Sequence, residues 1–167
     1  MTTFTESRKT NHRNILVHGV CFLLIFSGYR TNQDIAQRVL AGFEHETKNT
    51  TDPFQGIDGY TVNALVYAVF AVFTWVAPII VGFFGPKKSM MIGGFTYAGI
   101  LACHILPRPS LLYIMSIVNG AGSAVLWTAQ GAFIVLNSSE KSIVKNSAIF
   151  WTIFQMSYGE ISSGENL

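Results

Sequence analysis

The chain has 167 residues, of which 50% are hydrophobic and only 12% charged, with a formal net charge of +2 and a mean hydropathy of +0.38. Soluble domains carry roughly 25% charged residues, so this composition excludes an ordinary soluble domain. A charge balance so near neutral also gives no reason to expect a nucleic-acid partner.

Taken in chain order, the charged side chains leave five long gaps, at residues 14–29, 59–86, 89–107, 109–139 and 146–159. Crossing the hydrocarbon core takes a helix of ~20 mostly apolar residues. The runs are continuous rather than alternating, which argues for helices and against barrel strands. The reading is therefore an all-α membrane protein with four transmembrane helices and a truncated fifth. A cytoplasmic tail covers residues 1–13, and the bundle covers 14–158, with spans at about 14–32, 60–84, 88–106, 110–136 and 145–158. The first gap is short, so Arg13 and Arg30 would snorkel to the two headgroup layers. A cleaved signal peptide is disfavoured there, because Ser27-Gly28-Tyr29-Arg30 offers no small-x-small cleavage site. Ile35, Val39 and Phe43 recur every fourth residue and predict a short helical extension on the membrane surface. The Gly42–Gly59 stretch is acidic and rich in Gly, Pro and Asn, and reads as a solvated loop. Pro78 is expected to kink the second span. The fifth gap runs into Gly159-Glu160, so that span ends early and leaves a polar tail at 159–167.

The loops set an orientation. Seven basic residues fall on one side (Arg8, Lys9, Arg13, Lys87, Lys88, Lys141, Lys145), and four on the other (Arg30, Arg38, Lys48, Arg108), where five acids offset them. Positive loops prefer the cytoplasm, so the N-terminus and the basic pair Lys87 and Lys88 are expected inside. Two glycosylation sequons then separate. Asn49-Thr50-Thr51 lies in the outer loop and is expected to carry glycan. Asn137-Ser138-Ser139 lies in an inner loop and is not.

Within the spans the polar candidates are His18, Asn63, His104, Asn119 and Gln130. Of these, Asn63 and His104 lie near span ends, while His18, Asn119 and Gln130 lie deeper. Such groups either line a solute path or hydrogen-bond between helices, and for neutral amides and lone histidines the second reading leads. Gly120, Ala124, Thr128 and Ala132 fall four apart and form a small-residue ridge for helix packing, or for a partner membrane protein. Trp127 sits beside the ridge, and Gln130 one turn on could accept its indole N–H. Cys21 and Cys103 lie in apolar surroundings, so neither a disulfide nor a metal site is expected. No paired carboxylates, nucleophile-base arrangement or phosphate loop is present, so no catalytic residue, no cofactor and no enzymatic activity are expected. Lipid is the first partner.

The run from Asn119 to Gly131, with its Leu126-Trp127-Thr128-Ala129-Gln130-Gly131 element, is followed by Leu136–Glu140 and then Asn146–Trp151 with Phe154-Gln155. Upstream stand Tyr67–Ala71, Ala77-Pro78 and Gly85-Pro86-Lys87. Over most of its length, from about Asn14 to Gln155, the chain resembles the Unc-ninety-three ("uncoordinated") family of ion-channel regulatory proteins. That family is a divergent branch of the major facilitator superfamily.

The resemblance implies more than the residues do. It implies the N-terminal portion of a major-facilitator-like helical bundle of about twelve helices in two halves, with both termini cytoplasmic. It implies a regulatory subunit of a potassium channel, or an escort for membrane receptors. A small-solute transporter and a non-functional fragment of a longer family member are the alternatives. Gly82–Lys88 occupies the place of the transporters' Gly-x-x-x-Asp-Arg/Lys element, but Pro86 replaces the Asp, which puts transporter-style gating there in doubt.

Overall fold

Helix breakers, not charges, decide where the helices begin and end. A computed structural model describes the backbone of residues 2–47, 59–105 and 109–159, and the side chains of 12–35, 60–105 and 110–158. Among the described residues all regular structure is helical, in six helices. The Asn49 sequon and residues 160–167 lie outside the described residues, and of the expected Gly42–Gly59 loop the backbone at 42–47 belongs to the first helix instead.

The first helix, α1 (Thr2–Thr47), runs for 46 residues straight through Arg13 and Arg30. It contains no proline, and a charged side chain does not stop a helix whose backbone bonds are all internal. The expected surface extension is thus part of α1 itself, although the Val39 and Phe43 side chains lie outside the described residues.

The second span is broken in two. α2 (Gly59–Phe73) and α3 (Ala77–Phe84) meet at 68° across Thr74–Val76. The last turn of α2 tightens, with Trp75 N donating to Val72 O at 3.3 Å and Val76 N to Phe73 O at 3.0 Å. The Thr74 hydroxyl adds a second bond to Phe70 O at 2.7 Å. Pro78 sits in the first turn of α3, where its missing N–H is not needed. The second span is thus kinked next to Ala77-Pro78, as expected, with the break on the N-terminal side of the proline, because the proline favours a helix start and obstructs the turn before it.

Gly85 separates α3 from α4 (Pro86–Cys103) with φ 79 and ψ 157, a conformation open essentially to glycine alone. Nothing lies near its missing side chain, so the penalty of a substitution is pure backbone strain. Gly85→Ala is expected to cost about 1–3 kcal/mol, read as a lower thermal midpoint of the purified chain in detergent. An unchanged midpoint would contradict it. Prolines also open α4 and α5 (Pro109–Leu136). The last helix, α6 (Ile143–Gly159), follows a serine turn closed by Ser142 N on Ser139 O at 2.9 Å.

The chain divides into two units. One joins α1 up to Gly28 with the chain from Gly131, which includes the end of α5 and α6. The other comprises Tyr29–Gln130. In the first unit a buried face of α1 (Ile15, His18, Phe22, Phe26) meets Phe150 and Phe154 of α6 and Phe133 of α5. In the second, glycines allow close crossings: Gly120 lies against Val66 and Val69 of α2, and Gly93 against Leu126 and Gly122 of α5.

Large apolar side chains also point outward throughout, among them Leu24, Tyr67, Trp75, Phe83, Phe95, Ile105 and Val144. A surface this apolar is unfavourable in water and natural in lipid. Two stretches, His12–Ile35 and Ser110–Leu136, are long and apolar enough to cross a membrane, and the bent α2–α3 pair would be a third if it is one span. The fourth helix carries Lys87 and Lys88 in its first turn, and α6 has 17 residues; neither meets that criterion alone.

Candidate functional site

Among the described residues the buried polar side chains are His18, Ser89, Ser116, Asn119, Ser123, Gln130, Asn146 and Ser157, with no Asp, Glu, Lys or Arg. Apolar surroundings oblige such groups to find partners, and their partners define two clusters, one in each unit.

In the Tyr29–Gln130 unit, α5 presents Asn119, Ser123 and Trp127 four residues apart, hence on one face. Ser123 Oγ donates to the Tyr97 hydroxyl of α4 at 2.9 Å. The Trp127 indole hydrogen-bonds the same hydroxyl. Thr96 Oγ1 reaches Gly93 O at 2.7 Å and Asn119 Oδ1 at 3.4 Å. Tyr29 stands edge-on to Tyr97, with ring centroids 4.8 Å apart, and receives a bond from Gln33 at 2.6 Å. Asn119 is fully buried, and its Nδ2 has no hydrogen-bond partner.

In the other unit, the His18 imidazole is enclosed by three phenyl rings, with centroids 4.7 Å away at Phe22 and 4.9 Å at both Phe133 and Phe150. Its Nε2 has no hydrogen-bond partner. Gly19, next to it, makes room for Ile153 of α6. At one end of this unit an amide knot ties three segments. Asn14 Nδ2 donates to Asn137 Oδ1 at 3.0 Å, Asn137 Nδ2 to Phe133 O at 2.9 Å, and Asn146 Nδ2 to Ser138 Oγ at 2.8 Å.

His18 belongs to one unit, Asn119 and Gln130 to the other, and Gln130 is buried. The indole of Trp127 meets Tyr97 on α4. Asn63 is half-buried. His104 closes α4, its ring Nδ1 bonding Ile100 O at 2.8 Å. On the ridge, Gly120 is occupied within the chain by α2, Ala124 is buried, and Thr128 and Ala132 are half-buried. Lys87 and Lys88 are exposed in the first turn of α4. Both cysteines are free, but Cys21 is exposed rather than buried; the outer face of a membrane helix is apolar too, so an apolar neighbourhood in sequence does not imply burial. Asn137, the inner sequon, has its amide engaged on both sides.

Sequence reading missed the hydroxyl groups: Tyr29, Thr96, Tyr97 and Ser123, as well as the Asn14–Asn146 knot. One signal was available, since Ser123 lies midway between Asn119 and Trp127 at helical spacing.

These groups donate and accept hydrogen bonds between helices, each worth about 0.6–1.7 kcal/mol in such settings. A double-mutant cycle on Tyr97→Phe and Ser123→Ala is expected to give a coupling of about 0.5–1.5 kcal/mol; simple additivity in unfolding titrations would deny the bond.

Fold and buried groups together define a helical membrane protein whose interior is held by neutral polar contacts and close glycine crossings. The model of the family described as "Ion channel regulatory protein UNC-93" matches residues 50–161, and the chain belongs to that family. It is similar to UNC93-like protein MFSD11 of Xenopus tropicalis, 38% identical over 152 residues that make up 91% of this chain and 32% of that protein. The same protein of Xenopus laevis is 37% identical over the same shares. UNC93-like protein C922.05c of Schizosaccharomyces pombe is 31% identical over 99 residues, covering 56% of this chain and 19% of that protein. The chain therefore spans about a third of the length of the MFSD11 relatives. No solved structure matches it.

Proposed function

We propose that this chain serves in a non-enzymatic, multi-pass regulatory subunit of an ion channel, with a potassium channel as the partner. The observation that carries this reading is the UNC-93 match over residues 50–161. Among the described residues no Asp, Glu, Lys or Arg is buried, which agrees with it, since proton or ion pathways through membranes are commonly built from ionisable side chains; His18 is the one ionisable group among the buried polar side chains. Affinity purification of the epitope-tagged chain from cross-linked membranes is expected to recover potassium-channel subunits. Their absence, with the chain itself recovered, would overturn the proposal. A receptor-escort role would appear as receptors in the same eluate.

A second reading is favoured by one feature. The break between α2 and α3 resembles the discontinuous helices that transporters place at substrate sites, and a major-facilitator-like bundle would accommodate it. Solute uptake by reconstituted vesicles would favour a transporter; none would favour the regulatory subunit.

The orientation proposed is N-terminus inside and Asn49 outside. Glycosidase treatment is expected to shift the expressed chain on a gel. The shift is expected to vanish in Asn49→Gln and to persist in Asn137→Gln, whereas a shift lost in Asn137→Gln would reverse the topology.

A further inference from the structure

We propose that α3 is an interfacial helix that, with the first turn of α4, docks on the anionic headgroup layer of one lipid leaflet. The inference is independent of the channel reading.

Length is the first argument. At ~1.5 Å per residue, the 15 residues of α2 cover only ~22 Å of a hydrocarbon core ~30 Å thick. A straight continuation through α3 would overshoot the remainder. Bent by 68°, the 8 residues of α3 advance only ~4–5 Å along the axis of α2. That leaves α3 lying along the boundary between acyl chains and headgroups.

Every side chain of α3 is apolar, so its free side would face the acyl chains and the headgroups would be met at its ends. Ala77 and Val81, one turn apart, are buried. The opposite side exposes Ile79 and Phe83, and Trp75 at the bend is 86% exposed. A tryptophan so exposed matches the aromatic belt at the membrane surface.

Charge identifies the occupant. Lys87 and Lys88 are exposed at the N-terminal end of α4, where the helix dipole is itself positive and lysine is unfavourable unless an anion offsets it. No acidic residue lies in that turn, and no side chain caps it. The Ser89 hydroxyl in the same turn is fully buried and has no hydrogen-bond partner. Uncapped N–H groups beside two lysines are complementary to a lipid phosphate, and aromatic side chains one turn before them supply the acyl-side contact.

The test uses the full chain. With Trp127→Phe and Trp151→Phe leaving Trp75 alone, quenching is measured in phosphatidylcholine vesicles whose acyl chains are brominated either near the headgroup or near the bilayer centre. Stronger quenching from the headgroup side is expected; stronger quenching from the centre overturns the interfacial seat. A nitroxide on Phe83→Cys, in a chain carrying Cys21→Ser and Cys103→Ser, reads the same depth from its relative access to oxygen and to a water-soluble nickel complex. It decides the matter should the tryptophan variant fail to fold. For charge, phosphatidylglycerol is titrated into the detergent-solubilised chain. Lys87→Gln and Lys88→Gln are each expected to lower its apparent affinity about fivefold while leaving phosphatidylcholine unaffected. Equal affinity for both lipids, or no change in the variants, overturns the anionic partner.

Discussion

Gly93→Ala is expected to lower the thermal midpoint of the solubilised chain by about 4–10 °C, corresponding to about 2–3 kcal/mol for a chain of this size. The reason lies in what the new methyl group would meet. A Cβ on Gly93 would lie 2.7 Å from Leu126 Cβ and 2.8 Å from the Gly122 carbonyl oxygen. Neither obstacle can rotate aside, because one is backbone and the other is the first carbon of its side chain. The α4–α5 crossing would have to open, and without a hydrophobic drive between helices in lipid, close packing is most of what holds it. Gly122→Ala is expected to be nearly as costly, since its Cβ would collide with Thr96. There Thr96→Ala removes part of the obstacle and should restore part of the midpoint; the same change should not rescue Gly93→Ala. Two comparisons sharpen the result. At Gly99 the nearest atom is the flexible end of Met115, so Gly99→Ala should cost little. Nothing lies near Gly28 or Gly131, so alanine there is expected to be neutral or to stabilise by up to ~1 kcal/mol through helix propensity. A uniform response at all five glycines would show that crossing distance does not govern stability.

The same crossing shows how far the sequence could be read. Charge-free gaps located the helices because lipid tolerates few ions, and the gaps overlap every one of them. Helix ends are a different matter from the ends of charge-free gaps. Helix α1 continues past Arg13 and Arg30 because charge has no bearing on an internal hydrogen-bond ladder, and the second gap hides a break because Thr74–Val76 is as apolar as its neighbours. Pro78 announced the break and, to within one turn, its position. At the buried sites, amides and imidazoles stood out among apolar residues, whereas Ser123, Thr96 and Tyr97 did not. Small hydroxyls are common within helices, and which of them meet depends on how α4 crosses α5. Glycines within apolar spans, Gly93-Gly94 and Gly120-Ala121-Gly122, read as helix-packing sites, and Gly93, Gly120 and Gly122 do sit at close crossings, but Gly122 lies off the four-residue ridge that contains Gly120. A four-residue ridge on one helix says nothing about which face a second helix selects.

Phe150→Ala should be the most damaging single change in the unit that holds α6, at about 2–3 kcal/mol, towards the lower end of aromatic-to-alanine costs. In water such a change loses both transfer free energy and packing; in lipid the transfer part shrinks, because the unfolded reference also lies in an apolar medium. Packing alone remains large here. Phe150 is fully buried and touches His18, Phe22, Trp151 and Phe154, with its ring stacked on the imidazole at 4.9 Å. Phe150→Leu, which refills most of the space, should recover most of the stability. The companion change is His18→Leu. Because the Nε2 atom of His18 has no partner, the ring bears a desolvation cost without a compensating bond, and an apolar replacement of similar volume is expected to be neutral or stabilising. Unfolding titrations of the two variants therefore should move in opposite directions even though the residues touch. If His18→Leu instead destabilises as much as Phe150→Ala, the imidazole is held by a bond that the Phe22, Phe133 and Phe150 cage does not account for. If it is stable but loses association with a channel partner, the unpartnered nitrogen is retained for function rather than for folding.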